Sequence, residues 1–332
     1  MPSLDSHKAG RDALYASARN RVICIVGPTA SGKSALAQQV ASKIGGEVVS
    51  ADSMQVYRGM DIGTGKVAPD ERIVAHHCID LVDPGDPYSA ALFQQDARAC
   101  FHDIWQRGAT PILCGGTGFY VRAAIDDYDF PKGEQVGNEV RDRYNLLAES
   151  KGAHELWLQL AERDPESAHI IPENDVKRVV RAFELLEEGN SYAAQRAKLG
   201  RIPEKVPSIW FGLAIDPARL RARIDERVDQ MMSAGLVREV QGLLDAGFRE
   251  GITAPQAIGY KEIVAALDGS CTMDDAVGAI KLATRRYAKR QRTWFRKERR
   301  IHWIDANALD LNRMAEEALN HVQAVCQGDV SL

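Results

Sequence analysis

The stretch that decides the fold is Val22-Ile23-Cys24-Ile25-Val26-Gly27-Pro28-Thr29-Ala30-Ser31-Gly32-Lys33-Ser34. Its first five residues are apolar and mostly β-branched, which is typical of a buried strand. The next eight fit the pattern G-x-x-x-x-G-K-[ST], and the run Ala35-Leu36-Ala37-Gln38-Gln39-Val40-Ala41 then favours a helix. Glycines in such a loop let backbone N–H groups surround a phosphate, and the helix N-terminus adds positive potential. The stretch therefore predicts a di- or triphosphate site, and the motif alone leaves the occupant open.

Two further strands are predicted to bring polar residues to the same edge of the sheet. The strand predicted at residues 47–52 has the polar cluster Asp52-Ser53-Met54-Gln55 at its carboxyl end. The strand predicted at residues 111–114 leads into a second glycine turn that carries Thr117. Because the carboxyl ends of parallel strands meet at one edge, we expect Asp52 to face the phosphate loop. The layout predicts a doubly wound α/β core. Taken alone, the second glycine turn fits a simple strand-to-helix connection better.

Composition limits the classes of protein that remain. The chain has 332 residues, 45% of them hydrophobic, and a net charge of −4, so any nucleic-acid partner needs a local basic patch. The six cysteines are scattered without C-x-x-C spacing, which indicates reduced thiols in a cytoplasmic protein. No run of 18 apolar residues is present, so we expect no membrane span, and residues 1–20 lack the pattern of a signal peptide.

The chain divides by composition into four parts. We predict an N-terminal tail (1–20), a first core segment (21–125), a charged helical insertion (126–200) and a second core segment (201–332) that ends in basic helices. The predicted fold class is therefore α/β, with a P-loop NTPase-like parallel sheet core, a helical insertion domain and a basic C-terminal helical region.

Basic residues recur at helical spacing in the insertion and after a further strand predicted at residues 208–215. In the insertion, Arg178 and Arg181 share one helix face beside Lys177. From spacing alone, a binding face and a solvated face are equally good interpretations. An arginine row after Pro217, with members at every fourth position, could supply charge to a leaving group or could be an exposed, ion-paired face. This row consists of Arg219, Arg223 and Arg227.

The final basic stretch runs from Thr284 to Arg300 and contains a single acid, Glu298. Helical spacing places four of its basic residues on one face, which could follow a row of phosphates. These four are Arg285, Lys289, Arg292 and Arg296. Shortly before it, Gly259 stands in a predicted helix start, which suggests close approach of another group. The adjacent pair His76-His77 has no spacing for a metal, so we expect no metal site there.

Taken in order, these motifs closely resemble those of the tRNA dimethylallyltransferases, also called tRNA isopentenyltransferases. The resemblance extends from about Val22 to Ile304. It rests on Gly27 to Ser34; Ser50-Ala51-Asp52-Ser53-Met54-Gln55-Val56-Tyr57; Asp61-Ile62-Gly63-Thr64 with Lys66; His77 with Asp80; Tyr88-Ser89; Gly115-Gly116-Thr117-Gly118 with Tyr120; Asn174-Asp175 with Arg178, Arg181, Ala182 and Glu184; Gly259-Tyr260; and Tyr287-Ala288-Lys289-Arg290-Gln291 with Thr293-Trp294.

The resemblance implies a Mg²⁺-dependent transfer of a dimethylallyl group from dimethylallyl diphosphate to N6 of adenosine 37, beside the anticodon of a tRNA, with release of diphosphate. Asp52 would be the general base, Thr29 would contact the reacting centre, and Arg227 would act with Lys33 on the departing diphosphate. Ser34 would position the metal. The implied diphosphate site comprises Gly27, Pro28, Thr29, Ala30, Ser31, Gly32, Lys33, Ser34 and Thr117.

The same resemblance implies a surface for the anticodon stem-loop. Its residues are Asp52, Ser53, Met54, Gln55, Lys177, Arg178, Arg181, Gln256, Gly259, Tyr260, Lys261, Lys289 and Arg292. General chemistry agrees with these roles. The lone pair of an adenine N6 amine is delocalised, so a carboxylate that accepts its proton helps the attack. A paired base could not reach the sheet edge, so we expect an extruded base. We expect a monomer.

Three alternatives stay open at the level of the sequence. A small-molecule or nucleoside kinase would bind ATP in the same loop and use Asp52 on a hydroxyl. A prenyltransferase acting on free AMP or ADP would need no RNA-sized surface. A nucleotide-gated RNA-binding module would use Asp52 only as a Mg²⁺ ligand. The basic terminal stretch and the large insertion favour the tRNA enzyme.

Overall fold

The computed structural model describes residues 20–130, 138–199 and 202–329, so the predicted tail lies outside the described residues except for its last position. The chain forms two compact units. The described residues up to Ile125 and from Lys205 onward form the first unit, and Asp126–Glu204 form the second.

The first unit is built on a six-stranded parallel sheet with the order β3-β2-β4-β1-β5-β6. The strands are β1 (Val22–Val26), β2 (Gly46–Ser50), β3 (His76–His77), β4 (Thr110–Gly115), β5 (Ser208–Ala214) and β6 (Ile301–Asp305). In register, Val26 lies beside Gly115, and Ser50 lies beside Cys114. The loops that follow β1, β2 and β4 therefore begin at the same edge of the sheet, which confirms the predicted α/β core.

The helices of both units are numbered together in chain order. They are α1 (Lys33–Ile44), α2 (Ala90–Gln106), α3 (Gly118–Ile125), α4 (Glu139–Lys151), α5 (Ala153–Arg163), α6 (Pro165–Ile170), α7 (Val176–Glu187), α8 (Tyr192–Leu199), α9 (Pro217–Ser233), α10 (Leu236–Asp245), α11 (Tyr260–Leu267), α12 (Met273–Phe295) and α13 (Leu311–Gln327). Within the described residues, no helix is both long and apolar enough to cross a membrane.

The alternation of β1 explains why the sheet lies in the centre of the first unit. Val22, Cys24 and Val26 belong to one apolar cluster, and Ile23 and Ile25 belong to another. All five are fully buried. A parallel strand that is covered on both faces needs a continuous apolar run, which is what this stretch supplies.

Helix ends follow local capping signals. The Ser89 side chain accepts the Leu92 N–H at the start of α2, a role that serine favours. The last basic stretch was predicted to be helical from 284 to 300, and this is wrong at both ends. The helix α12 starts at Met273, because Thr272 and Asp275 form a capping box there, and it ends at Phe295. The basic residues from Arg285 to Arg292 therefore occupy the C-terminal half of a longer helix, and those from Arg296 onward follow its last residue.

The second unit has its own core of packed helices. Tyr144 on α4 and Phe183 on α7 stack with ring centroids 3.9 Å apart. Beside them, the carboxylate of Glu184 is only 2% exposed and accepts hydrogen bonds from Arg141 and Arg181. Since a buried carboxylate needs partners, these two arginines are part of the internal structure of this unit.

Candidate active site

The phosphate loop leaves several hydrogen-bond donors unused. Helix α1 follows Gly32, which has a φ of +96° and provides no side-chain cap, so the first N–H groups of the helix receive no side-chain acceptor. The hydroxyl of Ser31 is also buried and has no hydrogen-bond partner among the described residues. A helix N-terminus of this kind attracts an anion. The geometry therefore fits a phosphate group.

Three charged side chains meet near this loop without forming ion pairs among the described residues: Lys33, Asp52 and Arg227. Burial lowers the pKa of Lys33, with nearby Cys114 and Asp52 acting in the opposite direction. Burial likewise lowers the pKa of Arg227, and Asp52 counteracts that shift. Two desolvated cations next to one carboxylate leave positive potential available for a diphosphate.

The position of Arg227 depends on a glycine in another loop. A Cβ atom on Gly65 would lie 1.6 Å from a guanidinium nitrogen of Arg227, and Gly65 has a φ of +63°. A side chain there would therefore clash with the arginine and would also strain the backbone. The glycine-broken segment 61–66 therefore lies against the site and helps to set the position of Arg227.

The second glycine turn packs directly against the turn that carries Asp52. The Thr117 hydroxyl oxygen accepts the Ser53 N–H at 3.2 Å, and the Thr117 N–H donates to the Ala51 carbonyl at 3.3 Å. A Cβ atom on Gly115 would lie 2.2 Å from that same carbonyl oxygen. The turn is therefore more than a connection, because it fixes the segment around Asp52.

A cavity of about 480 Å³ opens beside these groups in the first unit. It is lined by Thr29, Asp52, Ser53, Met54, Gly63, Thr64, Ile224, Arg227, Val228, Met231, Gln256, Ala257, Ile258, Gly259, Tyr260, Lys261, Ile280, Ala283, Thr284, Arg286, Tyr287 and Arg290. The three residues predicted to be catalytic, Thr29, Asp52 and Arg227, share this cavity with most of the first-unit residues predicted to contact RNA.

Other predicted site residues lie elsewhere. Apart from Thr29, the phosphate-loop residues do not line the cavity, and neither do Gln55, Thr117, Lys289 and Arg292. The Gln55 amide instead accepts from the Ser50 hydroxyl and donates to the Thr64 and Gly65 carbonyls. Ser34 lines a separate small cavity of about 20 Å³ together with Gln55. Lys177, Arg178 and Arg181 lie in the second unit, so their assignment to tRNA binding stays a prediction.

Gly259 is explained by its backbone and not by close approach of another group. It is the N-cap of α11 with a φ of +98°. The nearest atom to a Cβ placed there is a methyl carbon of Leu236 at 3.8 Å, which is an ordinary contact. No described protein atom lies closer, and the glycine is needed because side chains rarely adopt this conformation.

One carboxylate that no local sequence motif marks supports a wall of the cavity. Glu239 on α10 accepts the N–H groups of Asp61, Ile62 and Gly63 at 3.1, 2.7 and 3.2 Å. It also accepts the Tyr260 hydroxyl at 2.6 Å. Burial and the neighbouring Glu239 carboxylate raise the pKa of Tyr260. Nothing in the local sequence marks Glu239, because its partners lie 21 to 178 positions away.

Helix α12 contributes side chains that the list of predicted contacts omits. Arg286, Tyr287 and Arg290 all line the cavity. Burial, with a smaller contribution from Asp52, raises the pKa of Tyr287 to about 12. Tyr287 and Arg290 could have been found, because both stand in the motif on which the family resemblance rests, and Arg286 belongs to the basic run.

Comparison with known proteins decides the family. Residues 55–298 match the family model described as IPP transferase, and residues 20–76 match the one described as isopentenyl transferase. A tRNA dimethylallyltransferase of Carboxydothermus hydrogenoformans is 46% identical over 303 residues, which cover 90% of this chain and 96% of the relative. The chain belongs to the tRNA dimethylallyltransferase family. Members of this family are prenyltransferases, so the kinase and the non-catalytic binding module are excluded.

Solved structures of family members share the fold. A full-length tRNA isopentenylpyrophosphate transferase of Bacillus halodurans has 38% identity and a TM-score of 0.68, covering 93% of this chain and 97% of its own. A eukaryotic dimethylallyltransferase acting on tRNA has 29% identity and a TM-score of 0.76, covering 93% of this chain and 79% of its own. The tRNA dimethylallyltransferase fold thus extends over nearly the whole chain.

Proposed function

We propose that this protein transfers a dimethylallyl group from dimethylallyl diphosphate to N6 of adenosine 37 in a tRNA, in a Mg²⁺-dependent reaction that releases diphosphate. The observation that carries the proposal is the single cavity in which Thr29 of the phosphate loop, Asp52 and Arg227 lie together with Lys261 and Arg286. A donor bound at the phosphate loop and an adenine base that enters past Lys261 and Arg286 would then meet at Asp52. The names of the relatives support the same substrate class.

The donor end suits a leaving group. As the bond between C1 of the dimethylallyl group and the diphosphate oxygen breaks, the oxygen keeps the electron pair and negative charge increases. The unpaired cations Lys33 and Arg227 and the uncapped N-terminus of α1 would stabilise this charge without moving. Preorganised charge of this kind is a large part of the catalytic effect in many enzymes.

The acceptor end needs a proton acceptor. The N6 nitrogen forms its new bond to C1 and loses one proton, which the Asp52 carboxylate would take. Asp52 is held for this role because one of its oxygens accepts the Met54 N–H at 2.9 Å, which leaves the other oxygen available. General-base assistance of this type contributes roughly 10²–10⁴-fold to rate.

The proposed metal fits the donor set at the loop. Mg²⁺ is usually bound by one or two protein oxygens, with water and substrate phosphates completing its coordination. The Ser34 hydroxyl is the protein oxygen that the motif provides, and the described residues contain no cluster of three or more His, Cys, Asp or Glu side chains that could hold a metal without a substrate. When bound, the ion would neutralise phosphate charge.

The tRNA would bind through several groups of residues. Ser53, Met54, Gln256 and Lys261 would contact the anticodon loop around the extruded base, and Arg286 and Arg290 would face it from α12. Lys289 and Arg292 on the same helix would bind backbone phosphates. In the second unit, Lys177 and Arg178 are proposed to bind phosphates of the stem, and Arg181, whose charge is shared with the buried Glu184 carboxylate, would contribute only through its exposed side.

One assay tests the proposal. The protein is incubated with dimethylallyl diphosphate, Mg²⁺ and unmodified tRNA that has adenosines at 36 to 38, without ATP, and the RNA is digested and analysed by mass spectrometry. We expect one added dimethylallyl group at position 37. A tRNA with guanosine at 37 and free AMP or ADP serve as parallel acceptors. Product on AMP or ADP but none on tRNA would contradict the proposal, and absence of product on every acceptor would reject it.

A further inference from the structure

Gln291 differs from the rest of the basic half of α12. Its side chain is only 5% exposed, although it stands among Lys289, Arg290 and Arg292. A glutamine amide has donors and acceptors on its two sides, so burying it is unfavourable unless both are satisfied. The hydrogen-bond partners of Gln291 therefore indicate the role of this buried side chain.

Both ends of the amide are bonded to distant glycine-rich turns. The Gln291 Oε1 atom accepts the Thr29 N–H at 2.9 Å, across 262 positions of sequence. The Nε2 group donates to the Gly116 carbonyl at 2.9 Å, across 175 positions. The reversed amide would place a donor against a donor and an acceptor against an acceptor, so only this orientation satisfies both partners. One side chain thus connects the phosphate loop to the second glycine turn.

The atoms around this connection are closely packed. A Cβ atom on Gly116 would lie 2.2 Å from Nε2 of Gln291, and a Cβ atom on Gly118 would lie 2.3 Å from a ring carbon of Trp294. Helix α12 therefore lies directly against the backbone of the turn. Thr117, between these glycines, accepts the Ser53 N–H beside Asp52. The contacts continue from the phosphate loop through Gln291 to the proposed base.

We propose that Gln291 is a positioning residue that fixes the distance between the phosphate loop and Asp52. This inference rests on the proposed function and adds to it a residue that does not line the cavity. Because Gln291 occupies the Thr29 N–H, that amide is not available to a phosphate. A reaction between two bound substrates requires the reacting atoms to be held about 3 Å apart, and small errors in that separation reduce the rate strongly.

Two variants test the role. Gln291→Met keeps the length and removes both hydrogen bonds, whereas Gln291→Glu keeps the acceptor for Thr29 and places an oxygen against the Gly116 carbonyl. Gln230→Met, at an exposed position of α9, is the matched control. The measurements are the single-turnover rate at saturating donor and tRNA, the Kd for tRNA, the Kd for inorganic diphosphate and the thermal unfolding midpoint.

We expect the single-turnover rate of Gln291→Met to fall about 100-fold, as a misplacement near 1 Å does, while the Kd for tRNA stays within about twofold. Gln291→Glu should be slowed as well, because its Gly116 contact becomes repulsive, and Gln230→Met should match the wild type. An unchanged single-turnover rate of Gln291→Met at saturating substrates would overturn the proposal. A loss of rate that equals the unfolded fraction of the variant, or that weaker tRNA binding explains, would also overturn it. A wild type that is inactive on tRNA would instead reject the proposed function.

Discussion

The charged side chains of the second unit and those around the cavity are organised in opposite ways. In the second unit, the buried Glu184 carboxylate is neutralised by Arg141 and Arg181. Around the cavity, Lys33, Asp52 and Arg227 form no ion pair within the described ranges, although desolvation lowers the pKa of both cations. Paired charges stabilise a fold, whereas desolvated unpaired charges are unfavourable until a ligand neutralises them. The comparison therefore separates structural charge from charge available for binding.

The same distinction applies within one helix. The sequence predicts that Arg285, Lys289, Arg292 and Arg296 form one phosphate-binding face. In the structure, Arg285 makes a two-point ion pair with Asp225 of α9, whereas Lys289 and Arg292 have no such pair among the described residues. Arg285 is thus already neutralised, and its spacing alone could not reveal this.

The largest expected effect tests the unpaired carboxylate. Asp52→Asn keeps the acceptor for the Met54 N–H but cannot take a proton at neutral pH, so turnover should fall about 10²–10⁴-fold. The Kd for tRNA and the unfolding midpoint should stay close to those of the wild type. Single-turnover kinetics and tRNA titration measure both. Asp70→Asn, at an exposed position, is the control and should be silent. A variant that loses tRNA binding and keeps its rate at saturation would reassign Asp52 to recognition.

The second effect tests a paired carboxylate. Glu184→Ala leaves Arg141 and Arg181 without their shared partner, and we expect the unfolding free energy of the second unit to drop by about 2–3 kcal/mol. This is below the range for fully buried pairs because both arginines are about one-third exposed. Hydrogen exchange of α7 amides reports the local loss. Glu188→Ala, exposed at the end of the same helix, provides the comparison. Equal hydrogen-exchange protection of α7 in Glu184→Ala and Glu188→Ala would contradict the distinction between paired and unpaired charge.

A buried polar group without a hydrogen-bond partner among the described residues also affects the stability of the fold. No described residue forms a hydrogen bond with the buried Nε2 atom of His76, and burial together with Arg72 and His77 lowers the pKa of this histidine to about 4. An unfolded histidine binds a proton near pH 6.5, so this part of the stability is present above pH 6.5 and is lost as the pH falls towards 4.

Urea unfolding at several pH values measures this loss. We expect the unfolding free energy of the wild type to decrease by ~2 kcal/mol between pH 6.5 and pH 4 through this group, after allowance for its partial exposure. His76→Gln should show a decrease smaller by that amount. Parallel curves for the two proteins would show that the ring does not titrate in this way.

The smallest effect compares basic residues of the two units. Removing an unpaired cation that contacts phosphate should weaken tRNA binding by about 1 kcal/mol, roughly fivefold, and lower the salt slope by about one. We expect this for Lys289→Ala and Arg292→Ala. Arg178→Ala should change tRNA affinity less, because Arg178 is paired with Asp175. Titrations with tRNA at several salt concentrations measure these affinities. A larger loss of tRNA affinity for Arg178→Ala than for Lys289→Ala and Arg292→Ala would contradict this expectation.

Much of the fold could be predicted because its signals are local. The strand Val22–Val26 has the predicted bounds, and α2 begins at a serine cap, which is a local signal. Asp52 shares a cavity with Thr29, as expected for loops that begin at the same edge of one parallel sheet. The start of α12 lies well before the basic run, so the charge pattern does not mark it, although the capping box at Thr272 is a local signal. The backbone reason for Gly259 was missed because sequence does not show the sign of φ.

The sequence by itself determined the phosphate loop, the parallel sheet and the family, because a glycine pattern, an apolar run and an ordered set of motifs each act through neighbouring residues. Only the tertiary structure decided which groups meet: Gln291 with Thr29, Glu239 with the backbone of the 61–66 loop, and Arg285 with Asp225. These partners lie 60 to 262 positions apart. A hydrogen bond depends on distance and direction in space, and packing of the whole first unit sets both.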